Sequence, residues 1–176
     1  AAKLIVDTVN RSTQPVMVFV SGTHTNLAEA LRLDPGISEH IRAVFVMGGS
    51  IHVPGNIKSD WPEIDNTVAE WNIWVDPLAA EEVFVSGLRL HLAPLDATNQ
   101  VLWTEADARQ WAASKSPEGE LASDLLHAML GMWKVSAGYV WDLVAAVYAT
   151  EAATCPEAPV SLDVLTAAGP DQGRTV

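Results

Sequence analysis

The sequence predicts an α/β protein built on an open, mostly parallel sheet flanked by helices. The runs "VMVFVS" (16–21) and "IRAVFVM" (41–47) are continuously apolar and β-branched, the pattern of strands buried on both faces. Between them, "TNLAEALRLD" (25–34) has helical spacing and is stopped by Pro35-Gly36. Two such strands joined by a helical crossover of this length form a βαβ unit, and therefore a parallel pair.

The remaining elements follow in order. Residues 1–10, "AAKLIVDTVN", read as the tail of a helix ahead of the first strand. After the second strand the stretch 48–75 is much longer than the usual connection of about 2–6 residues, which favours a functional role. Asp76-Pro77 then starts a helix, with Asp as N-cap and Pro at the first helical position. "LRLHLAPL" (88–95) is a third strand candidate. Thr104 caps the next helix, Ser116-Pro117 opens a longer one reaching about residue 134, and another covers about 139–150. "PVSLDVLT" (159–166) reads as a late strand. There is no internal repeat, low-complexity tract or long linker. The first residue is Ala and "PDQGRTV" closes no element, so residues 1–176 are read as a single partial domain cut at both ends.

Composition narrows the function classes. A chain of 176 residues with 49% hydrophobic and 18% charged residues is globular rather than disordered. Its net charge of −12 disfavours a nucleic acid polymer or an anionic membrane as partner. A small neutral or cationic ligand, or a divalent cation, fits that charge. The single Cys155 forms no internal disulfide, and no Cys/His spacing suits zinc. No apolar run approaches the roughly 20 residues of a membrane span, and no signal-like segment opens the chain. A cytoplasmic location is the expectation.

Ligands of open α/β sheets bind beyond the carboxyl ends of the strands. Here those ends turn polar at once: "SGTHTN", "MGGSIHVPGN" and "DATNQ". Gly48 and Gly49 let the backbone approach a ligand. In "VAEWNIWVD" (68–76), read as extended, Glu70 and Asn72 share one face and Trp71 and Ile73 the other. A Glu and an Asn side by side accept from and donate to vicinal hydroxyls, as a sugar requires. The same pattern also describes a polar loop face over a tryptophan anchor. Thr25-Asn26 equally opens a helix, Asn56 after Gly55 equally makes a turn, and Asp96 equally ends a strand. His24, His52 and His91 read as solvated or structural, and most of the seven tryptophans as packing. Asp142, the lone charge in "GYVWDLVAAVYA" (138–149), either marks a solvated helix start or faces something cationic.

Taken in order, "GTHTNLAEAL", "VFVMGGSIHVPGN", "AEWNIWVDPLAAEEVF", "LAPLDATNQV" and "YVWDLVAA" closely resemble the inosine–uridine-preferring nucleoside hydrolase family, from about residue 10 to residue 165. The resemblance implies a Rossmann-like nucleoside hydrolase fold and hydrolysis of the N-glycosidic bond of ribonucleosides to base and ribose. It implies a calcium ion that holds the ribose diol and the attacking water. The motifs assign one calcium ligand to the Thr25 carbonyl and another to Asp142, oxygen donors that suit a hard cation. Asn56, Glu70 and Asn72 take the places of residues that hydrogen-bond the ribose, and Met47 lies in the segment lining the sugar pocket. Homodimers or homotetramers are the family habit.

Two departures qualify that picture. The family's opening aspartate cluster, of the type DxDPGxDD, is absent, and nothing in "AAKLIVDTVNRSTQPV" replaces it. The general base and further calcium ligands are therefore expected outside this chain, which alone should be inactive. Many members carry a histidine just before the later aspartate ligand, where it protonates the leaving base. This sequence has Trp141, which resembles the purine-specific members. Stacking on Trp141 favours a flat base such as that of inosine or guanosine. The competing reading is a catalytically dead relative, or a nucleoside- or ribose-binding module.

Overall fold

The computed structural model describes residues 1–151 and 155–176. Helix α1 (Ala2–Arg11) leads into strand β1 (Val16–Val20), and helix α2 (Thr25–Leu33) is followed by a 3-10 turn (Pro35–His40) and strand β2 (Ile41–Met47). Short helices α3 (Ile57–Asp60) and α4 (Trp71–Val75) punctuate the long connection to α5 (Pro77–Phe84) and strand β3 (Leu90–Ala93). Then come α6 (Leu95–Thr98), β4 (Leu102–Thr104), α7 (Glu105–Ala112), α8 (Pro117–Trp133), β5 (Ala137–Tyr139) and α9 (Trp141–Thr150).

Strands β1, β2 and β3 form one parallel sheet in that order, with Val18 opposite Val44 and Phe45 opposite His91. The alternation along β2 makes the sheet the middle of three layers. Val44 and Val46 point into a core with Val9 of α1, Leu27 and Leu31 of α2, and Val83 of α5. Ala43, Phe45 and Met47 point the other way, against Ala145 and Tyr148 of α9. The predicted open parallel sheet with flanking helices is therefore the observed one.

Several local expectations change. β1 lies at the sheet edge with one neighbouring strand, so Met17 and Phe19 are 46% and 43% exposed instead of buried on both faces. β3 is cut short because Pro94, which has no N–H to donate, leads directly into α6. The stretch 68–76 is not extended: Glu70 caps α4, its carboxylate accepting from the backbone N–H groups of Asn72 and Ile73. Residues 159–166 make no strand; only Val164 bridges Thr175, antiparallel. Pro159 has no N–H to donate to a ladder at its start. An antiparallel pair, β4 with β5, takes Tyr139 out of the start of the expected last helix.

The predicted caps are observed at Asp76, which accepts from Ala79 N, and at Ser116, which accepts from Gly119 N. Thr104 and Asp107 make a reciprocal capping box. α7 and α8 pack on each other around Ala108, Leu126 and Leu130, a small core apart from the sheet. No helix among the described residues is long and apolar enough to cross a membrane.

Candidate active site

The parallel strands bring their carboxyl ends to one edge, and the polar residues singled out above collect there. Met47 ends β2 in the layer facing α9. The Asn72 amide reaches back to it, Nδ2 donating to the Met47 carbonyl at 3.1 Å and lying 3.3 Å from its sulfur. Glu70, only 2% exposed, sits beside Asn72 with Oε2 accepting from Gly49 N (3.2 Å), Asn72 N (3.0 Å) and Ile73 N (3.3 Å). Asn56 holds the same turn, its Oδ1 accepting from Trp71 N at 2.9 Å. Glu70 and Asn72 thus arrive together through a helix cap rather than an extended face.

The donors of this corner are consumed internally. Both directions of the Asn72 amide NH2 are taken up by Met47. Glu70 Oε1 and Asn72 Oδ1 have no hydrogen-bond partner among the described residues, and neither is sealed from solvent. What the corner offers outward is a pair of oxygen acceptors. This differs from the accept-and-donate pairing expected of Glu and Asn, because the Met47 carbonyl takes the amide hydrogens.

Burial pushes the Glu70 carboxyl up to about 7, against the pull of its three backbone N–H bonds, and the charge of Asp142 pushes in the same direction. Asp142 lies in the first turn of α9 behind an uncapped Val140. Partial burial raises its carboxyl too, and no hydrogen bond or ion pair holds it among the described residues. Trp141 packs on the Met47 layer, donates Nε1 to Asn99 Oδ1 at 2.8 Å, and stacks on Tyr139 with centroids 5.2 Å apart. Five of the candidate residues outside α2 (Met47, Glu70, Asn72, Trp141 and Asp142) therefore meet in one region, with Asn56 bracing it from behind.

Thr25 opens α2 at the same sheet edge as Asp142, and its hydroxyl donates to Asp76 at the start of α5. A cavity of about 1200 Å³ between β3, α9 and residues 155–162 includes neither residue.

Calcium takes about six to eight oxygen ligands. Asp142, a carboxylate with no partner and a second carboxylate nearby, is a donor of the right kind. The number falls short, since no three His, Cys, Asp or Glu side chains among the described residues could hold a metal ion together.

Supporting residues carry much of the geometry. Asp96 does more than end a strand: its carboxylate accepts from Ile51 N (2.8 Å) and His52 N (2.7 Å), fixing the loop after β2. Asn66 accepts from Val68 N and Ala69 N and donates to Gln172 O. Gly55 passes so close to residue 69 that a Cβ there would lie 2.0 Å from the Ala69 carbonyl oxygen. The sequence marks Asp96 as a strand end and Gly55-Asn56 as a turn; Asn66 has no local signal.

The family model for inosine–uridine preferring nucleoside hydrolase matches residues 1–176. The chain belongs to this family. It is 32% identical over 180 residues to the pyrimidine-specific ribonucleoside hydrolase RihB of Escherichia coli, covering 100% of this chain and 55% of that protein. It resembles the inosine–uridine preferring nucleoside hydrolase of Bacillus anthracis with TM-score 0.84 and 28% identity, over 99% of this chain and 55% of that one. It also resembles the purine-preferring ribonucleoside hydrolase of Gardnerella vaginalis, with TM-score 0.82 and 28% identity over 99% and 54% of the two chains. This nucleoside hydrolase chain thus spans about half the length of these relatives.

Proposed function

We propose that the protein carrying this chain hydrolyses the N-glycosidic bond of ribonucleosides to free base and ribose. The observation that carries the reading is the buried Glu70–Asn72 corner at the carboxyl edge of the sheet, with two outward oxygen acceptors beside Asp142. Two vicinal ribose hydroxyls are two donors, and they match two acceptors. Asn56 holds Trp71 and so keeps the pair in place, while Met47 lines the floor. Bond cleavage builds positive charge on the ribose, and the carboxylate of Asp142 stabilises it.

Calcium is the proposed cofactor, held by Asp142 and the Thr25 carbonyl with oxygens from outside this chain. When bound it supplies a water of lowered pKa. The general base also lies outside residues 1–176, so the chain alone is inactive, and the complete protein is a cytoplasmic homodimer or homotetramer. The test is base release from inosine and uridine by the full-length protein, with and without chelator, in wild type and Asp142→Ala. Release abolished by either treatment is expected. Activity surviving both sinks the metal assignment, and absence of release from any ribonucleoside favours an inactive relative or ribose-binding module.

Purine nucleosides are the proposed preference, supported by Trp141 as a stacking surface extended by Tyr139. A second reading, pyrimidine nucleosides, is favoured by the likeness to the RihB proteins. The ratio of kcat/KM for inosine to that for uridine decides between them.

A further inference from the structure

We propose that Trp61, at the outer end of the connection that leads back to the sugar pair, is a positioning residue for ribose recognition that acts through Trp71. The proposal rests on the reading of the Glu70–Asn72 corner as the ribose site. The connection from β2 leaves that corner, runs out through α3, and returns to it. Its two legs are zipped together by Gly55 N to Thr67 O (2.9 Å), Asn56 N to Ala69 O (3.1 Å) and Lys58 N to Asn66 O (2.9 Å). Trp61 closes the outer end: its N–H donates to Ile57 O at 2.8 Å, and its carbonyl accepts from Ile64 N at 2.9 Å.

From there the Trp61 indole lies flat against Trp71, with ring centroids 4.0 Å apart and planes 17° from parallel. Trp71 in turn leans on Trp74, with centroids 5.7 Å apart. Trp74 is backed by Gly173, where an added Cβ would come within 2.7 Å of the Trp74 Cα. None of the three indoles belongs to the buried core.

What the stack holds is the five-residue helix α4, too short to keep its geometry by its own hydrogen bonds. Trp71 is the residue between Glu70 and Asn72, so the path of its peptide sets where both side chains start. Asn56 grips that peptide by its N–H, and Trp61 grips the same residue by its ring. With Trp61 removed, one of the two grips is lost and the acceptor pair loosens. A loosened pair holds ribose less tightly in substrate and transition state alike, which raises KM more than it lowers kcat.

The test uses the full-length protein as wild type, Trp61→Ala, Trp61→Leu and Trp61→Phe, with inosine and uridine as substrates. Far-UV circular dichroism follows the exciton couplet of the stacked indoles, and thermal unfolding is run alongside. Expected are a KM raised about tenfold in Trp61→Ala with kcat within about twofold, loss of the couplet, and a KM within about twofold of wild type in Trp61→Phe. Should Trp61→Ala not fold, the comparison of Leu with Phe decides, and equal KM values overturn the proposal. A lowered melting temperature with KM unchanged overturns it as well, since that is what packing alone produces. Wild type that releases no base from either nucleoside overturns the reading of the site and this proposal with it; an active wild type indifferent to Trp61 overturns the proposal alone.

Discussion

Replacing His24 by leucine should stabilise the protein, and more so in acid. His24 is 0% exposed at the start of α2, and neither ring nitrogen has a hydrogen-bond partner. Its ring meets Phe84 edge-on, with centroids 5.8 Å apart. An orphaned buried polar group costs about 1–3 kcal/mol, and the aromatic contact given up is worth about 0.5–1.5 kcal/mol. Leucine also buries well at that position, so a net gain of about 1–2 kcal/mol is expected at pH 8. Burial lowers the ring from 6.5 to about 4, against the attraction of Asp76. The unfolded chain therefore takes up a proton below about 6.5 that the folded chain refuses until about 4. Wild type loses stability as pH falls through that window, by about 3 kcal/mol in all, and leucine abolishes the loss. The advantage of His24→Leu should thus widen from about 1–2 kcal/mol at pH 8 to about 4 kcal/mol near pH 4. Urea unfolding of both full-length proteins at the two pH values measures it, the difference cancelling every other titrating group. Equal stability at pH 8, or an advantage that does not grow in acid, refutes the reasoning.

Glu70→Gln should remove a pH dependence of the opposite sign. The wild-type carboxyl keeps its proton to about 7 in the fold and to about 4.5 unfolded, so stability present below 4.5 is lost as pH rises through 7, by about 3 kcal/mol; unfolding midpoints across that range check the slope. Asp96→Ala leaves the N–H groups of Ile51 and His52 without their acceptor and should cost about 1–2 kcal/mol, with faster hydrogen exchange at those two amides. Gly55→Ala drives a Cβ against the Ala69 carbonyl and should cost about 3 kcal/mol, read by thermal unfolding.

The layered sheet could be read in advance because its signals are local and repeated: two apolar runs, a helix of the right length, and caps at Asp76, Thr104 and Ser116. The errors came where a neighbour decides. Nothing in "VMVFVS" says that β1 has a strand on only one side. The helix at Trp71–Val75 depends on the Glu70 side chain folding back on its own backbone, a choice that period-two alternation conceals. Met47, Asn56, Glu70 and Asn72 could be named from motif order, but their hydrogen-bond roles could not. The Asn72 amide becomes an outward acceptor only because the end of β2 places a carbonyl under it. Asn66 and Trp61 act across loops, and no spacing rule reaches them.

The two sides of the site are built differently, and the difference bears on the cation. The Glu70–Asn72 side is held in advance, with Glu70 gripped by three backbone N–H groups and Asn72 by Met47. On the Asp142 side, α9 packs through Ala145 and Tyr148 on the back of β2 and β3 and Trp141 bonds Asn99, but no hydrogen bond grips the Asp142 carboxylate among the described residues. No cationic side chain pairs with Glu70 or Asp142 among the described residues. Two carboxyls are thus raised by burial, one also by the other's charge, in a chain of net charge −12. Left unpaired, that arrangement destabilises the fold above neutral pH. A divalent cation at Asp142, as proposed, would offset that repulsion and the cost of burying the charge together. Adding calcium to the full-length protein should therefore raise the melting temperature at pH 8 far more than at pH 5, where protons already neutralise Glu70. An equal rise at both values would mean that the cation binds elsewhere.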